Sequence, residues 1–294
     1  MSCKYYKQKR QYKYVDESTW HDVAPTEYQK GALYEVDSPD CATPTPSFKW
    51  KATYTGGNVT SAECDSSSAI TEGEITKANL QSVVIGDCVT RIWNFALASG
   101  SSLTSVTIPD SVTTIGGWAF ENCTSLASIT IPDSVTDISN DVFNGCSSLA
   151  SITIPSGVTS LYQGVFLDCT SLTSVTIGNG VINIYNVVFE NCTSLTSITI
   201  PDSVTYIGIS TFGFCSSLTG ITIPDSVTSI DSYAFKYCTG LTSVTVNATT
   251  PPTLGSQSFD NTNNCPIYVP AESLNAYKTA SGWSTYASRI YAIS

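Results

Sequence analysis

The sequence predicts a mainly β fold: a solenoid of about eight 23-residue coils, preceded by a small β-rich module and closed by a strand-helix cap. Three columns of residues carry this prediction. Phenylalanine recurs every 23 residues, from Phe120 through Phe143, Phe166, Phe189 and Phe212 to Phe235. Cysteine keeps the same step from Cys123 to Cys238, and leucine runs from Leu80 to Leu241. A fixed period in this range marks repeats that each form one coil and cannot bury an apolar face alone.

Within one coil the pattern resolves into elements. Val106 and Ile108 alternate with Ser105 and Thr107, the period of two expected of a half-buried strand. Pro109-Asp110 ends that strand, because proline cannot donate to a ladder and aspartate favours a turn. A second apolar pair, Val112 and Ile115, predicts a second short strand, after which Phe120 and Cys123 close the coil. Stacking puts like residues over like at about 4.8 Å, so these positions become internal columns. Cysteine suits its column as a small buried thiol. Stacked neighbours point their Cβ atoms the same way, which disfavours bridges between them. The aspartates at 87, 110, 133, 202 and 225 raise the idea of a calcium row, but Ser156 and Asn179 interrupt it. An Asx-type turn bonded to nearby backbone is sufficient.

The net charge is −11, and the charge is unevenly placed. Lys4, Lys7, Lys9, Arg10 and Lys13 crowd the N-terminus. From Leu80 to Val246 only Arg91 and Lys236 face eleven acidic residues. Such an acidic array excludes nucleic acid as a partner, since phosphate contacts need clustered cations. No apolar run approaches the length of a membrane span, so no membrane insertion is expected. The start, MSCKYYKQKRQYKYV, is basic with no apolar run behind it and does not read as a secretory signal peptide.

The string SLTSVTIPDSVTTIGGWAFENCTSL resembles the BspA-type (Treponema-type) leucine-rich repeat at near-consensus level. The resemblance covers residues 80–264 and implies a leucine-rich-repeat solenoid there. Leu97 and Gly100 depart from the pattern in the first coil, and Pro251-Pro252 interrupts the last. Residues 265–294 are similar to segments that close such arrays. Ile267 to Val269 would add a strand and Pro270 would start a helix. Leu274, Tyr277, Trp283, Tyr286, Ile290 and Tyr291 would cover the open end.

Residues 1–79 lack the period. Alternation in Tyr12-Lys13-Tyr14-Val15 and from Phe48 to Tyr54, before Gly56-Gly57-Asn58, predicts short strands and a hairpin. The Pro/Thr stretch 41–46 reads as a linker, and Cys41 with Cys64 could pair. The region is similar to small β-modules that precede BspA-type repeats in gut anaerobes and in proteins of their phages. That similarity implies attachment of the array to a larger assembly. With a methionine start and no signal peptide, the implied setting is a virion surface; the alternative is a bacterial cell-surface BspA-like adhesin, or a purely structural decoration protein.

No chemistry is expected. His21 is the single histidine, and there is no G-x-S-x-G, H-E-x-x-H, C-x-x-C or phosphate loop, so neither a catalytic residue nor a cofactor or metal is predicted. Binding is expected instead. The strand face is a monotonous lawn of Ser and Thr, whereas variation concentrates in three residues after the second apolar pair of each coil. Aromatics gather there beside amides, a mixture suited to adaptable recognition of a host-surface protein or glycan. The candidate ligand-binding residues are Trp93, Trp118, Tyr162, Tyr185, Asn186, Tyr206 and Tyr233. The same positions also suit unconstrained loops, which drift freely.

Overall fold

The computed structural model describes residues 4–8, 11–15, 34–36 and 48–293, the first three segments as backbone only. The chain divides into two compact units, residues 1–46 and 47–294. The first contains a three-stranded antiparallel sheet, with Lys4–Gln8 between Gln11–Val15 and Tyr34–Val36. His21 and Cys41 lie outside the described residues.

The second unit is a β-solenoid of about ten coils rather than about eight. Each coil contributes to two parallel ladders. The longer strands stack in register at the 23-residue step, as Ile152 on Val175 and Ile221 on Val244. The shorter strands stack likewise, Ile115 on Ile138 and Ile184 on Ile207. The third side of each coil is a pair of turns. Ala119 N–H bonds to the Gly116 carbonyl and Cys123 N–H to that of Phe120, and in both turns the third residue is left-handed. This side is also tied from coil to coil by the backbone, as Phe120 N–H to the Val142 carbonyl at 3.0 Å.

The apolar columns fill the interior as one continuous core. The phenylalanines from 120 to 235 are fully buried and stacked nearly parallel, for example Phe143 on Phe166 at 5.6 Å and 1°. Dispersion and burial account for the leucine, valine and isoleucine columns. The cysteines do more than fill space. Each donates its thiol to a carbonyl of the preceding coil, as Cys146 to Phe120 and Cys169 to Phe143, both at 3.1 Å. All six column thiols are free and buried. Burial pushes the pKa values of Cys123, Cys146, Cys169, Cys192 and Cys215 up, that of Cys123 to about 12. A buried thiol is inert because the thiolate is the nucleophile. Iodoacetamide at pH 8 is therefore expected to leave Cys123 to Cys238 unmodified in the native protein and to label all six after denaturation. Peptide mass spectrometry reads this directly, and native labelling of the column would contradict the burial described.

Three expectations are corrected. The division between units falls at 46/47, at the end of the Pro/Thr stretch, not at 79/80. The hairpin Phe48–Tyr54 and Val59–Glu63 belongs to the solenoid, where Phe48–Tyr54 pairs antiparallel with Leu80–Ile85 and buries Trp50 and Ala52. Ala69–Ile70 already pairs in parallel with Arg91–Ile92, so coiling begins before Leu80. A hairpin can dock here because Gly86 has no side chain: a Cβ on it would overlap the Phe48 carbonyl. The strand also carries a buried cation. Lys49 is 2% exposed and bonds to Asp65 at 3.0 Å, Ser67 at 2.9 Å and Glu74 at 3.0 Å. Bonds from Ser67 and Lys49 lower the Asp65 carboxyl to about 2.

The second correction concerns cysteine pairing. Cys64 is bonded to Cys88, not to Cys41, with 6.1 Å between the Cα atoms. In the chain-entropy account a closure of this length contributes about 3 kcal/mol. The bond clamps the end of the hairpin onto the first coil.

The third correction concerns the turns and the cap. The aspartates at 87, 110, 133, 202 and 225 point their carboxylates into solvent. The serine that follows does the bonding: Ser111 donates to the Val89 carbonyl and Ser134 to that of Val112, both at 2.7 Å. At the C-terminus, helix Leu274–Thr279 follows a 3-10 turn, Ala271–Ser273, as expected after Pro270. Tyr277, Trp283 and Tyr286 are buried over the open end. Ile290 and Tyr291, however, do not belong to a covering face. Ile290–Ala292 is another strand of the long ladder, with Ile290 paired to Ile267 at the same 23-residue step. Tyr291 is exposed on it.

Candidate functional site

The turn side of the coils carries the predicted residues except Tyr206, which lies in the short-ladder strand Tyr206–Ile207, and the structure sorts them into three clusters. In the first, Trp93 is 44% exposed with the Arg91 guanidinium 4.9 Å above its ring. Half-buried Trp118 stacks on Phe95 at 5.0 Å and 6°. In the second, Tyr162 is 40% exposed and stacks on Tyr185 at 5.7 Å, and Tyr206 leans on Tyr185 at 5.8 Å. The Tyr206 hydroxyl donates to Asp231 at 2.6 Å, and burial together with that carboxylate pushes its pKa up to about 12. The third is built around Tyr233, which lies 4.7 Å from the Lys236 ammonium. Between the first two clusters the corresponding positions are Ser139, Asn140 and Asp141, without an aromatic ring.

Asn186 is placed differently from the rings. Its side-chain oxygen accepts the Ile209 N–H at 2.9 Å, and Asn94 accepts the Gly117 N–H in the same way. Both asparagines fasten one coil to the next. In Asn186 this engages the side-chain oxygen and leaves the half-exposed amide N–H₂ without a partner among the described residues.

Sequence reasoning missed part of this surface. Phe214 and Tyr237 are 44% and 39% exposed and stack at 4.8 Å, and Lys236 also lies 5.4 Å from the Tyr237 ring. They sit in the second turn of the coil, where Asn122, Gly145, Asp168 and Asn191 stand in earlier coils. That run of Asn, Gly and Asp was the available signal for a left-handed position.

The geometry gives the clusters their meaning. Both turns of each coil hold their third residue at positive φ, a conformation that favours Gly, Asn or Asp. Phe95 (φ 58°), Trp118 (58°), Tyr233 (64°), Phe214 (60°) and Tyr237 (62°) all occupy it with bulky rings. For a residue with a Cβ this costs on the order of 1 kcal/mol at each position. In the second turn the earlier coils place Asn122, Gly145, Asp168 and Asn191 there, whereas in the first turn Asp141 and Gly164 stand beside Val187 and Ser210.

Among the described residues no group of three or more His, Cys, Asp or Glu side chains could hold a metal ion. No helix there is long and apolar enough to cross a membrane.

The BspA-type leucine-rich-repeat model matches residues 68–196 and 182–281 with six copies, well over half the chain. The chain belongs to the BspA-type leucine-rich-repeat family. Its match begins at residue 68, where the short ladder begins in the structure. One solved leucine-rich-repeat structure shares the fold. A leucine-rich repeat protein from Eubacterium ventriosum is 24% identical with a TM-score of 0.53, covering 65% of this chain and 50% of its own. The chain thus spans about half the length of that protein. A leucine rich cell surface protein from Faecalibacterium prausnitzii is 23% identical, covering 88% of this chain and 99% of its own, with a TM-score of 0.38. The leucine rich repeat protein of T. pallidum is 23% identical over 67% of this chain and 88% of its own, with a TM-score of 0.43. Among curated proteins nothing matches.

Proposed function

We propose that the chain is an extracellular adhesion protein of a bacterial surface, which binds a host-surface protein or glycan through the aromatic clusters on its turn side. The observation that carries this is the run of stacked rings left exposed or half-exposed along the turn side, Phe95, Trp118, Phe214 and Tyr237 among them at left-handed positions that cost stability. Strain of this kind accumulates where a surface is kept for recognition. The Cys64–Cys88 bond supports an oxidising compartment. Membership in the BspA-type family and this bond favour a cell surface over the virion first expected. The separate β unit in residues 1–46 supplies attachment to a larger assembly in this reading.

The test uses a glycan array and intact epithelial cells as probes. Tyr162→Ala with Tyr185→Ala is expected to abolish retention, while Tyr237→Asn weakens it and leaves stability unchanged or raises it by up to about 1 kcal/mol. Undiminished binding by both variants would remove the turn side from the interaction.

A further inference from the structure

The opposite candidate surface is the outward face of the long ladder, where Ser and Thr repeat with little change. At one position of the strand the coils carry serine at 105, 128, 151, 174, 197 and 243, and Gly220 breaks the series. A glycine in such a column usually has a backbone reason. Gly116 and Gly208 have one, because a Cβ there would come within 2.7 Å of Asn94 N and 2.6 Å of Tyr185 C. Gly220 has none. It lies in the extended strand Gly220–Ile223, and an added Cβ would meet nothing nearer than Ser243 Oγ at 3.7 Å, an ordinary van der Waals contact. A serine fits there, and its absence is felt only at the surface.

Gly220 lies at the edge of an open depression of about 380 Å³ lined also by Thr199, Asp202, Thr222, Ser243, Thr245 and Asn247, which a side chain at 220 would narrow. The volume lies in the range of small-ligand sites. Its lining offers hydroxyls, an amide and one carboxylate, and it holds no cation. One strand further along, the threonine column changes character. Thr245 pairs with Tyr268 in the ladder, and Tyr268 with Tyr291. The two rings are 36% and 50% exposed and 6.3 Å apart. Thr245, between notch and ring, is half-buried where Thr107, Thr153, Thr199 and Thr222 are exposed. Tyr268 lies two strands across from Thr222 and two residues further along than Gly220, about 12 Å from the notch.

We propose that the Gly220 notch and the Tyr268 ring together form a groove for a short neutral or amino-sugar oligosaccharide. One sugar unit sits in the notch, its hydroxyls bonded by Thr199, Ser243 and Asn247, and the unit after next lays its C–H face on Tyr268. Asp202 accepts hydroxyl or ammonium protons and repels acidic sugars. This site is distinct from the aromatic clusters of the turn side, and either can stand without the other.

The full chain is tested on an array of chito-, cello- and galacto-oligosaccharides with sialylated and sulfated counterparts, and hits are measured by calorimetry. Wild type is expected to bind neutral or amino-sugar members and not the acidic ones. Gly220→Ser, which restores the residue of the other coils, should keep the circular dichroism spectrum and melting temperature and lose affinity by at least about tenfold. Tyr268→Ala should lose affinity for longer oligosaccharides more than for single sugars. Tyr162→Ala with Tyr185→Ala should leave this binding intact. Wild-type affinity in Gly220→Ser, preference for acidic glycans, or no neutral or amino-sugar hit at all would overturn the proposal. Loss only in the Tyr162/Tyr185 variant would overturn it too, while supporting the turn-side surface.

Discussion

Phe166→Ala is expected to destabilise the coil stack by about 3–5 kcal/mol and to divide its unfolding into two steps. Phe166 is fully buried between Phe143 at 5.6 Å and Phe189 at 5.5 Å, so truncation removes two ring contacts and leaves a cavity that the neighbouring columns prevent from collapsing. In a solenoid each coil is held mainly by its neighbours, and stability is close to a sum of coil and interface terms. Weakening two adjacent interfaces near the middle therefore uncouples the halves. Calorimetry should show one transition in wild type and two in the variant, with hydrogen exchange fastest in the coils around residue 166. A single transition at an unchanged midpoint would mean that the phenylalanine column does not carry the cooperativity.

The second large effect lies at the C-terminal end. Trp283→Ala is expected to cost about 3–5 kcal/mol as well, but locally. Trp283 is fully buried, donates its indole N–H to the Pro252 carbonyl at 2.7 Å, and packs against Phe259 at 5.8 Å and Tyr277 at 4.9 Å. Its loss exposes the end of the phenylalanine column and orphans a carbonyl. Because the damage is terminal, the last coils should fray while the centre keeps its melting temperature. Limited proteolysis should then cut beyond residue 246 and leave the preceding coils intact. Global unfolding in one step, with the centre destabilised equally, would contradict nearest-neighbour coupling.

The aromatic surface was only partly visible in the sequence. Trp93, Tyr162 and Tyr185 stand out because they interrupt a repetitive chain, and the structure places all three on the turn side. Asn186 looked equivalent, but its side-chain oxygen also fastens two coils by accepting the Ile209 N–H. Phe214 and Tyr237 replace the Asn, Gly and Asp of earlier coils, a faint signal of a left-handed position, and the backbone shows that a ring there is costly.

The sequence by itself determined the coil, its period and its buried columns. In a stack every residue packs on its own copy one turn away, so a local pattern repeated 23 residues on specifies the register as well. It also determined the fate of the six thiols, since a repeated cysteine in an apolar column has no partner but a carbonyl above it. The tertiary structure decided what the repeat cannot encode. The docking of Phe48–Tyr54 on Leu80–Ile85, the Cys64–Cys88 bond and the final strand Ile290–Ala292 all lie at ends, where a coil lacks one neighbour and a unique segment must replace it. It likewise decided the consequence of Gly220. One absent side chain is a small change in sequence, but on a face of stacked serines it becomes the only break among six identical neighbours.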